Sequence, residues 1–464
     1  MDNENPHYIP FATSCSYPVR AGNLVQPLVD GVPTFRRIGA EVDAARHSVW
    51  VAVTFYADDF LFPDGRGPLF DALDRAVARG VDVRVLFWRP NPESSHYGRN
   101  FPGSQENREM LRRRDARFRI RWDRAASVYC HHQKSWMIDA GHASETAFVG
   151  GINLTAANLG VPGHAGDGQR HDAYVEITGP SATDIHHNFV QRWNEASERK
   201  AEDGNWACDP ADVLAFPERA SPPAGSSTVQ IQRMVGPGRY ANGHPTPGGS
   251  TFDVAQGERS ILEQYGRAID AARRTIYLEN QAIPIPAITG PLLRALERGV
   301  DVVLLVPAIP EDHVYEARLN GTRQALFDGL EALGRHPNFT LAGIAGRDGA
   351  RRRSAYVHAK LMVVDDVWAT IGSCNLHAYS LGGHSEINAS IWDAAVVRAF
   401  RRTLLAEHLD RETGELDDRA AFRLYRTVAR ENRCRMQNHD PDWQGLAFAL
   451  SPENYGRKSD QVPT

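Results

Sequence analysis

The chain has 464 residues, 42% hydrophobic and 23% charged, with a formal charge of -5. That composition excludes disordered and fibrous architectures, supplies apolar material for two domain-sized cores, and argues against a protein that coats nucleic acid by bulk charge. No apolar run reaches the roughly 18 to 20 residues that span a bilayer, and the start, MDNENPHYIP, lacks the basic and apolar stretches of a signal peptide. The sequence therefore predicts a soluble chain, cytoplasmic by default, with signal-independent delivery left open.

From the N-terminus, an extension over 1–28 precedes a first unit over 29–200. Here a helix ending in DAARH feeds a β-rich run, SVWVAVTFY, then a helix with Leu69, Leu73 and Val77 on one face, then a strand, VDVRVLFW. A Pro, Gly, Ser and Ala-rich stretch marks a linker over 201–225. The second unit, 226–415, repeats the order as ILEQYGRAIDAARR, TIYLEN, PLLRALERG and VDVVLLVP, after a surface loop, GPGRYANGHPTPGGS. Short words recur in step between the units: DAAR at Asp43 and Asp270, GPL at Gly67 and Gly290, RGVDV at Arg79 and Arg298. A helical segment and a tail without chemical signal complete 416–464. The pattern predicts an α/β fold of two pseudo-twofold-related lobes, each a mixed β-sheet flanked by helices, sharing one cleft.

The five cysteines, Cys15, Cys130, Cys208, Cys374 and Cys434, form no CxxC pair, which indicates neither a disulfide framework nor a zinc cluster. Of 52 basic residues only Lys134, Lys200, Lys360 and Lys458 are lysines, so a lysine at a repeated spacing marks a place where a compact ammonium is wanted. Each unit carries such a place: His132-Gln133-Lys134 with Asp139, and His358-Ala359-Lys360 with Asp365. Each is followed by a glycine-led element, Gly150-Gly151-Ile152-Asn153 and Gly372-Ser373-Cys374-Asn375.

With its duplicated HxKxxxxD motif and G(G/S)xN segments, the chain resembles the phospholipase D superfamily from about residue 35 to residue 410. FVGGINLT, HDAYVEITGPSATDIHHNFVQRWN, YLENQ, YVHAKLMVVDD and SEINASIW are similar to segments of its lipid-cleaving branch. On strands, His132 and Lys134 would share a face, as would His358 and Lys360. A phosphodiester in the shared cleft would then meet two ammonium groups and the amides of Asn153 and Asn375, which neutralise charge without a metal or other cofactor. One neutral imidazole attacks phosphorus to give a phosphohistidine while the other, protonated, serves the leaving alcohol. The resemblance implies His132 as nucleophile and His358 as general acid. It places orienting carboxylates at Asp172 and Glu386, and gives Asp139 and Asp365 a structural part.

The arginine runs Arg112 to Arg124 and Arg347 to Arg353 read as solvated faces or as a basic rim. The apolar loops with Phe60, Leu61, Phe62, Ile283 and Ile285 read as lobe-interface packing or as lipid-dipping tips. Cys130, His131 and Cys374 read as packing residues, with a thiol near the site as a point of alkylation sensitivity. After Asn375 the chain departs from the lipase pattern with Leu376-His377-Ala378-Tyr379, which leaves head-group preference open. The expected activity is hydrolysis of glycerophospholipids at a membrane or micelle surface to phosphatidic acid, with transfer to alcohols, by a monomer insensitive to chelators. The alternatives are a nuclease or other phosphodiesterase, a cardiolipin synthase-like phosphatidyltransferase, and an inactive lipid-binding module.

Overall fold

The computed structural model describes residues 8–97, 101–114, 118–196, 212–349, 351–440, 442–458 and 462–463. Much of the expected linker, together with Cys208, Lys200 and parts of both arginine runs, lies outside the described residues. The fold is a mixed α/β structure whose strands form two runs of the same order. In the first, Arg119–Asp123, Asp82–Trp88 and Ser48–Val53 are parallel neighbours, and Ser135–Ile138, Thr146–Gly150, Ala173–Thr178 and Arg20–Val29 follow antiparallel. In the second, the corresponding strands are Phe339–Asp348, Asp301–Leu305, Thr275–Asn280, Lys360–Val364, Trp368–Gly372, Glu386–Trp392 and Ser227–Val235. The runs join where Arg20 and Asn23 pair with Val229 and Ser227. The strand Arg20–Val29 thus crosses the boundary expected at residue 28.

Alternation explains the packing. Val49, Val51, Val53, Val83, Val85 and Phe87 face the helices Gly31–Ala44 and Leu69–Ala78, while Trp50, Ala52 and Leu86 face the helix Ala182–Asn194. Strands covered on both faces read as near-continuous apolar runs, as these do. The core behind the helix Ala182–Asn194 is shared, since Tyr277, Val303, Leu361 and Val363 of the second run join it. Phe60 and Phe62 pack on Phe35, with Phe35 and Phe60 rings 4.8 Å apart, so they belong to the first unit's own core; only Leu61 stands out, at 51% exposure.

The repeated words have local causes. In RGVDV the arginine donates across to the end of the neighbouring helix, Gly31–Ala44 or Ser260–Ala271: Arg79 Nη2 to Val42 O at 2.6 Å and Arg298 Nη2 to Ile269 O at 3.0 Å. Its glycine takes the left-handed turn into the strand, with φ of 86° at Gly80 and 83° at Gly299. In DAAR the backbone N–H groups meet the motif aspartates. Asp139 Oδ1 accepts from the N–H of Arg46, His47 and Ser48 at 3.0, 2.7 and 3.2 Å. Asp365 accepts from Arg273, Arg274 and Thr275 at 2.7, 2.8 and 2.7 Å, and from the Tyr8 hydroxyl. Each aspartate locks the turn before Ser48–Val53 or Thr275–Asn280 to the end of the motif strand. Replacing buried Asp365 by Ala strands three donors at once and is expected to lower stability by about 3 kcal/mol; urea unfolding measures this, and a loss below about 1 kcal/mol contradicts it.

Three sequence readings change. The tail is not idle: Ala447–Ala449 adds an antiparallel strand to Phe339–Asp348, packed by the helix Asp418–Gln437. The loop after residue 235 is pinned, with Arg239 Nη2 at 2.7 Å from both carboxylate oxygens of buried Asp123. Finally, several arginines of the two runs point inward: Arg121 donates to Trp193 O at 2.5 Å and Arg352 to Trp443 O at 2.8 Å.

Candidate functional site

The first His-x-Lys segment lies just before a strand, and of the second only Lys360 is on one. Ser135–Ile138 begins after Lys134, and His358 stands between Arg351–Val357 and Lys360–Val364. The backbone leaves its own ladder to bind the other unit. The His132 N–H donates to Ser385 O at 2.9 Å and the His358 N–H to His171 O at 2.8 Å. Both segments thereby reach the carboxyl ends of the parallel strands, where α/β sheets place their ligands.

The carboxylates are exchanged between the units. His132 Nδ1 lies 2.9 Å from Glu386 Oε2 and 3.0 Å from Ser373 O; His358 Nδ1 lies 2.5 Å from Asp172 Oδ2. Each imidazole thus has its Nδ1 proton engaged and its Nε2 left for chemistry. Glu386 also accepts from the hydroxyls of Ser373 and Ser380, both at 2.5 Å. The Gly-Gly and Gly-Ser elements show why they differ: a Cβ on Gly151 would sit 2.4 Å from Asp172 Oδ1, whereas Ser373 at the matching position supplies a hydroxyl to Glu386.

The lysines are symmetric too. Lys134 Nζ donates to His132 O at 2.8 Å and Thr54 Oγ1 at 3.3 Å; Lys360 Nζ donates to His358 O and, at 3.2 Å, to Gln281 Oε1. Thr54 and Gln281 follow the strands Ser48–Val53 and Thr275–Asn280, and sequence reasoning missed both, together with Ser380. Asn153 Oδ1 and Asn375 Oδ1 are buried without hydrogen-bond partners. Because an amide presents either its oxygen or its NH₂ on a half-turn, each can meet a phosphate oxygen. His132, His358, both lysines and both asparagines are between 1% and 6% exposed, so the site is nearly dry.

That dryness sets the electrostatics. Burial brings Lys134 down to about 8, against the pull of Glu386; burial likewise brings Lys360 down to about 7, with Asp172 opposing and Lys134 reinforcing. Burial pushes Asp172 up to about 7 and raises Glu386, and it drives His132 and His358 well below the usual imidazole range, aided by the lysines. An arriving phosphodiester anion reverses this and favours protons on the lysines and one imidazole. Both lysines hold protons less tightly folded than unfolded, so the empty protein gains stability as pH rises from about 7 toward the ordinary lysine value of 10.5. Anion binding moves the other way. A dialkyl phosphate, whose own charge is fixed, is expected to bind more weakly above pH 8, by up to about tenfold per pH unit for each proton lost. Calorimetric titration across that range checks this, and a flat profile contradicts it.

The flanking groups are more than filler. His131 is fully buried, with Nδ1 2.8 Å from Ser385 Oγ and Nε2 3.2 Å from Asp123 Oδ2, so it belongs to a polar network. Cys130 and Cys374 are buried, as packing residues are, and burial raises both thiols. His377 Nδ1 accepts from Ser380 N at 3.1 Å, which caps the short helix Ala378–Gly382. His384, its ring 6.0 Å from that of His132, accepts from Cys130 N at 3.1 Å.

A family model described as "Cardiolipin synthase, PLD-like domain" matches residues 38–193 and 265–407, one stretch in each repeat. Cardiolipin synthase A of Pseudomonas entomophila (strain L48) is 26% identical over 417 residues, covering 88% of this chain and 73% of that protein. Major cardiolipin synthase ClsA of Bacillus subtilis (strain 168) is 26% identical over 391 residues, covering 82% and 69%. The crystal structure of phosphatidylserine synthase from Haemophilus influenzae Rd KW20 shares the fold, with a TM-score of 0.54 at 12% identity over 84% of this chain and 87% of that one. These matches correct the expectation of a hydrolytic phospholipase D releasing phosphatidic acid, because the relatives are synthases.

Proposed function

Since the chain belongs to the phospholipase D superfamily, through the PLD-like domain of cardiolipin synthases matched in both repeats, we propose that it is a phosphatidyltransferase that moves a phosphatidyl group onto an alcohol. The observation that carries this reading is the crossed pair of histidine-carboxylate couples in a nearly dry pocket with two lysines. Neutral His132 attacks phosphorus through Nε2 while Lys134, Lys360, Asn153 and Asn375 hold the nonbridging oxygens. The P–O bond to the donor's alcohol breaks, and that oxygen takes the proton from His358 Nε2. An acceptor hydroxyl then gives its proton to His358 Nε2 and attacks phosphorus, and the P–N bond to His132 breaks. Glu386 and Asp172 keep each Nδ1 protonated throughout. Two displacements leave the configuration at phosphorus unchanged.

Exclusion of water favours an alcohol as acceptor over hydrolysis. Cardiolipin carries two phosphatidyl groups on one glycerol, so the acceptor in that reaction is the free hydroxyl of a phosphatidylglycerol, and the partner is a lipid surface. The test is incubation of the purified chain with phosphatidylglycerol vesicles without added divalent metal, with products resolved by mass. The reading expects a doubly phosphatidylated glycerol and free glycerol in equal amounts. Phosphatidic acid as the main product, or cleavage of single-stranded DNA with lipid untouched, overturns it.

A further inference from the structure

Next to Asp172 in the chain, at His171, begins a second group of buried ionisable side chains that the transfer chemistry does not use. Asp30, His164, His171 and Glu407 each offer one nitrogen or carboxylate oxygen within 4.8 Å of those of the others. His164 Nε2 is 3.1 Å from His171 Nδ1, 3.4 Å from Asp30 Oδ1 and 3.3 Å from Glu407 Oε1, and His171 Nδ1 is 2.9 Å from Asp30 Oδ1. One ring nitrogen has a single proton or a single lone pair, so His164 Nε2 cannot satisfy three such neighbours by hydrogen bonding. These four separations, 2.9 to 3.4 Å, come near the edge of a tetrahedral metal site, about 3.3 to 3.4 Å for metal bonds of 2.0 to 2.1 Å.

Charge and backbone agree. Among the described residues no lysine or arginine ion-pairs with Asp30 or Glu407, and a divalent ion would cancel both carboxylates. His171 Nε2 lies 2.9 Å from Glu279 Oε2, the outer carboxylate that a ligating histidine ordinarily has. Two of the four residues hold left-handed backbone without being glycine, His164 at φ 44° and Asp30 at φ 66° with ψ 156°, a region that is nearly glycine-only. Such strain persists where the surroundings over-determine it.

We propose that Asp30, His164, His171 and Glu407 bind one divalent transition-metal ion, zinc by ligand type and geometry, as a closed structural site. The ion would tie the segment carrying Asp172 to the helix Ala394–Leu409 of the second repeat. Asp30 N donates to Asp172 O at 2.8 Å, and His171 O accepts from the N–H of His358 and Ala359 at 2.8 and 3.1 Å, so the tie bears directly on the Asp172–His358 couple. The site stands apart from the two-histidine chemistry and does not depend on it.

The test is elemental analysis of the untagged full chain after dialysis against metal-free buffer, with the same for His164→Ala and for the isosteric Glu407→Gln. We expect about one zinc per wild-type chain and loss of at least about tenfold of that content in each variant. Dipicolinate should lower the wild-type Tm by several degrees, zinc should restore it, and Glu407→Gln should respond to neither. Less than about a tenth of an ion per wild-type chain, with no Tm response to added zinc, overturns the proposal. So does a folded Glu407→Gln variant that keeps its full metal content.

Discussion

His132→Ala and His358→Ala are each expected to lower transfer by at least about 10⁴-fold while leaving the fold in place. The loss is large because each ring has a role that no neighbour can assume: one supplies the electron pair that bonds phosphorus, the other the proton that frees the alcohol. The other nearby imidazoles are engaged, His131 with Ser385 and Asp123, His384 with the Cys130 N–H, and His377 with the Ser380 N–H. Folding survives because Glu386 keeps the Ser373 and Ser380 hydroxyls and Asp172 keeps the Ala173 N–H. Turnover assays on lipid vesicles, with thermal unfolding as the control, check both variants. Residual activity within about tenfold of wild type in either folded variant contradicts the account.

The carboxylate variants Glu386→Gln and Asp172→Asn are expected to cost about 10² to 10⁴-fold in kcat, with little change in KM. An amide can donate to Nδ1 and drive the ring proton to Nε2. For His132 that consumes the attacking lone pair; for His358 it leaves the charged ring without its counter-charge. Since the couples cross between repeats, the pairing itself is testable. In a double-mutant cycle, Glu386→Gln should add almost nothing to His132→Ala, and Asp172→Asn almost nothing to His358→Ala, whereas the pairs within one repeat should add. Coupling within a repeat instead would contradict the arrangement.

The place of the candidate site was legible because it rests on short spacings: His, Lys and Asp recur as one word in each repeat, and DAAR and RGVDV frame them for backbone reasons that operate locally. The mixed α/β class followed from the alternation of helix and strand. The exchange of partners was not legible, since His132 and Glu386 are 254 residues apart, His358 and Asp172 are 186 apart, and no local pattern encodes a contact made by symmetry. The stretch before Ser135 reads as a continuation of the strand, but its N–H groups bind across the molecule, as His132 does to Ser385. The strand Ala447–Ala449 is too short to show a period, and the cluster draws on three distant places, Asp30, the stretch holding His164 and His171, and Glu407. The proposed preference for transfer over hydrolysis had no residue signal and came from the relatives.

The most direct measurement is to mix the chain with phosphatidylglycerol labelled at phosphorus, quench in alkali, and map the label by peptide mass. The account predicts an acid-labile, alkali-stable phosphoramidate on the peptide carrying His132, present in wild type and absent in His132→Ala. Label on no histidine while product forms, or product formation that persists without His132, would contradict it.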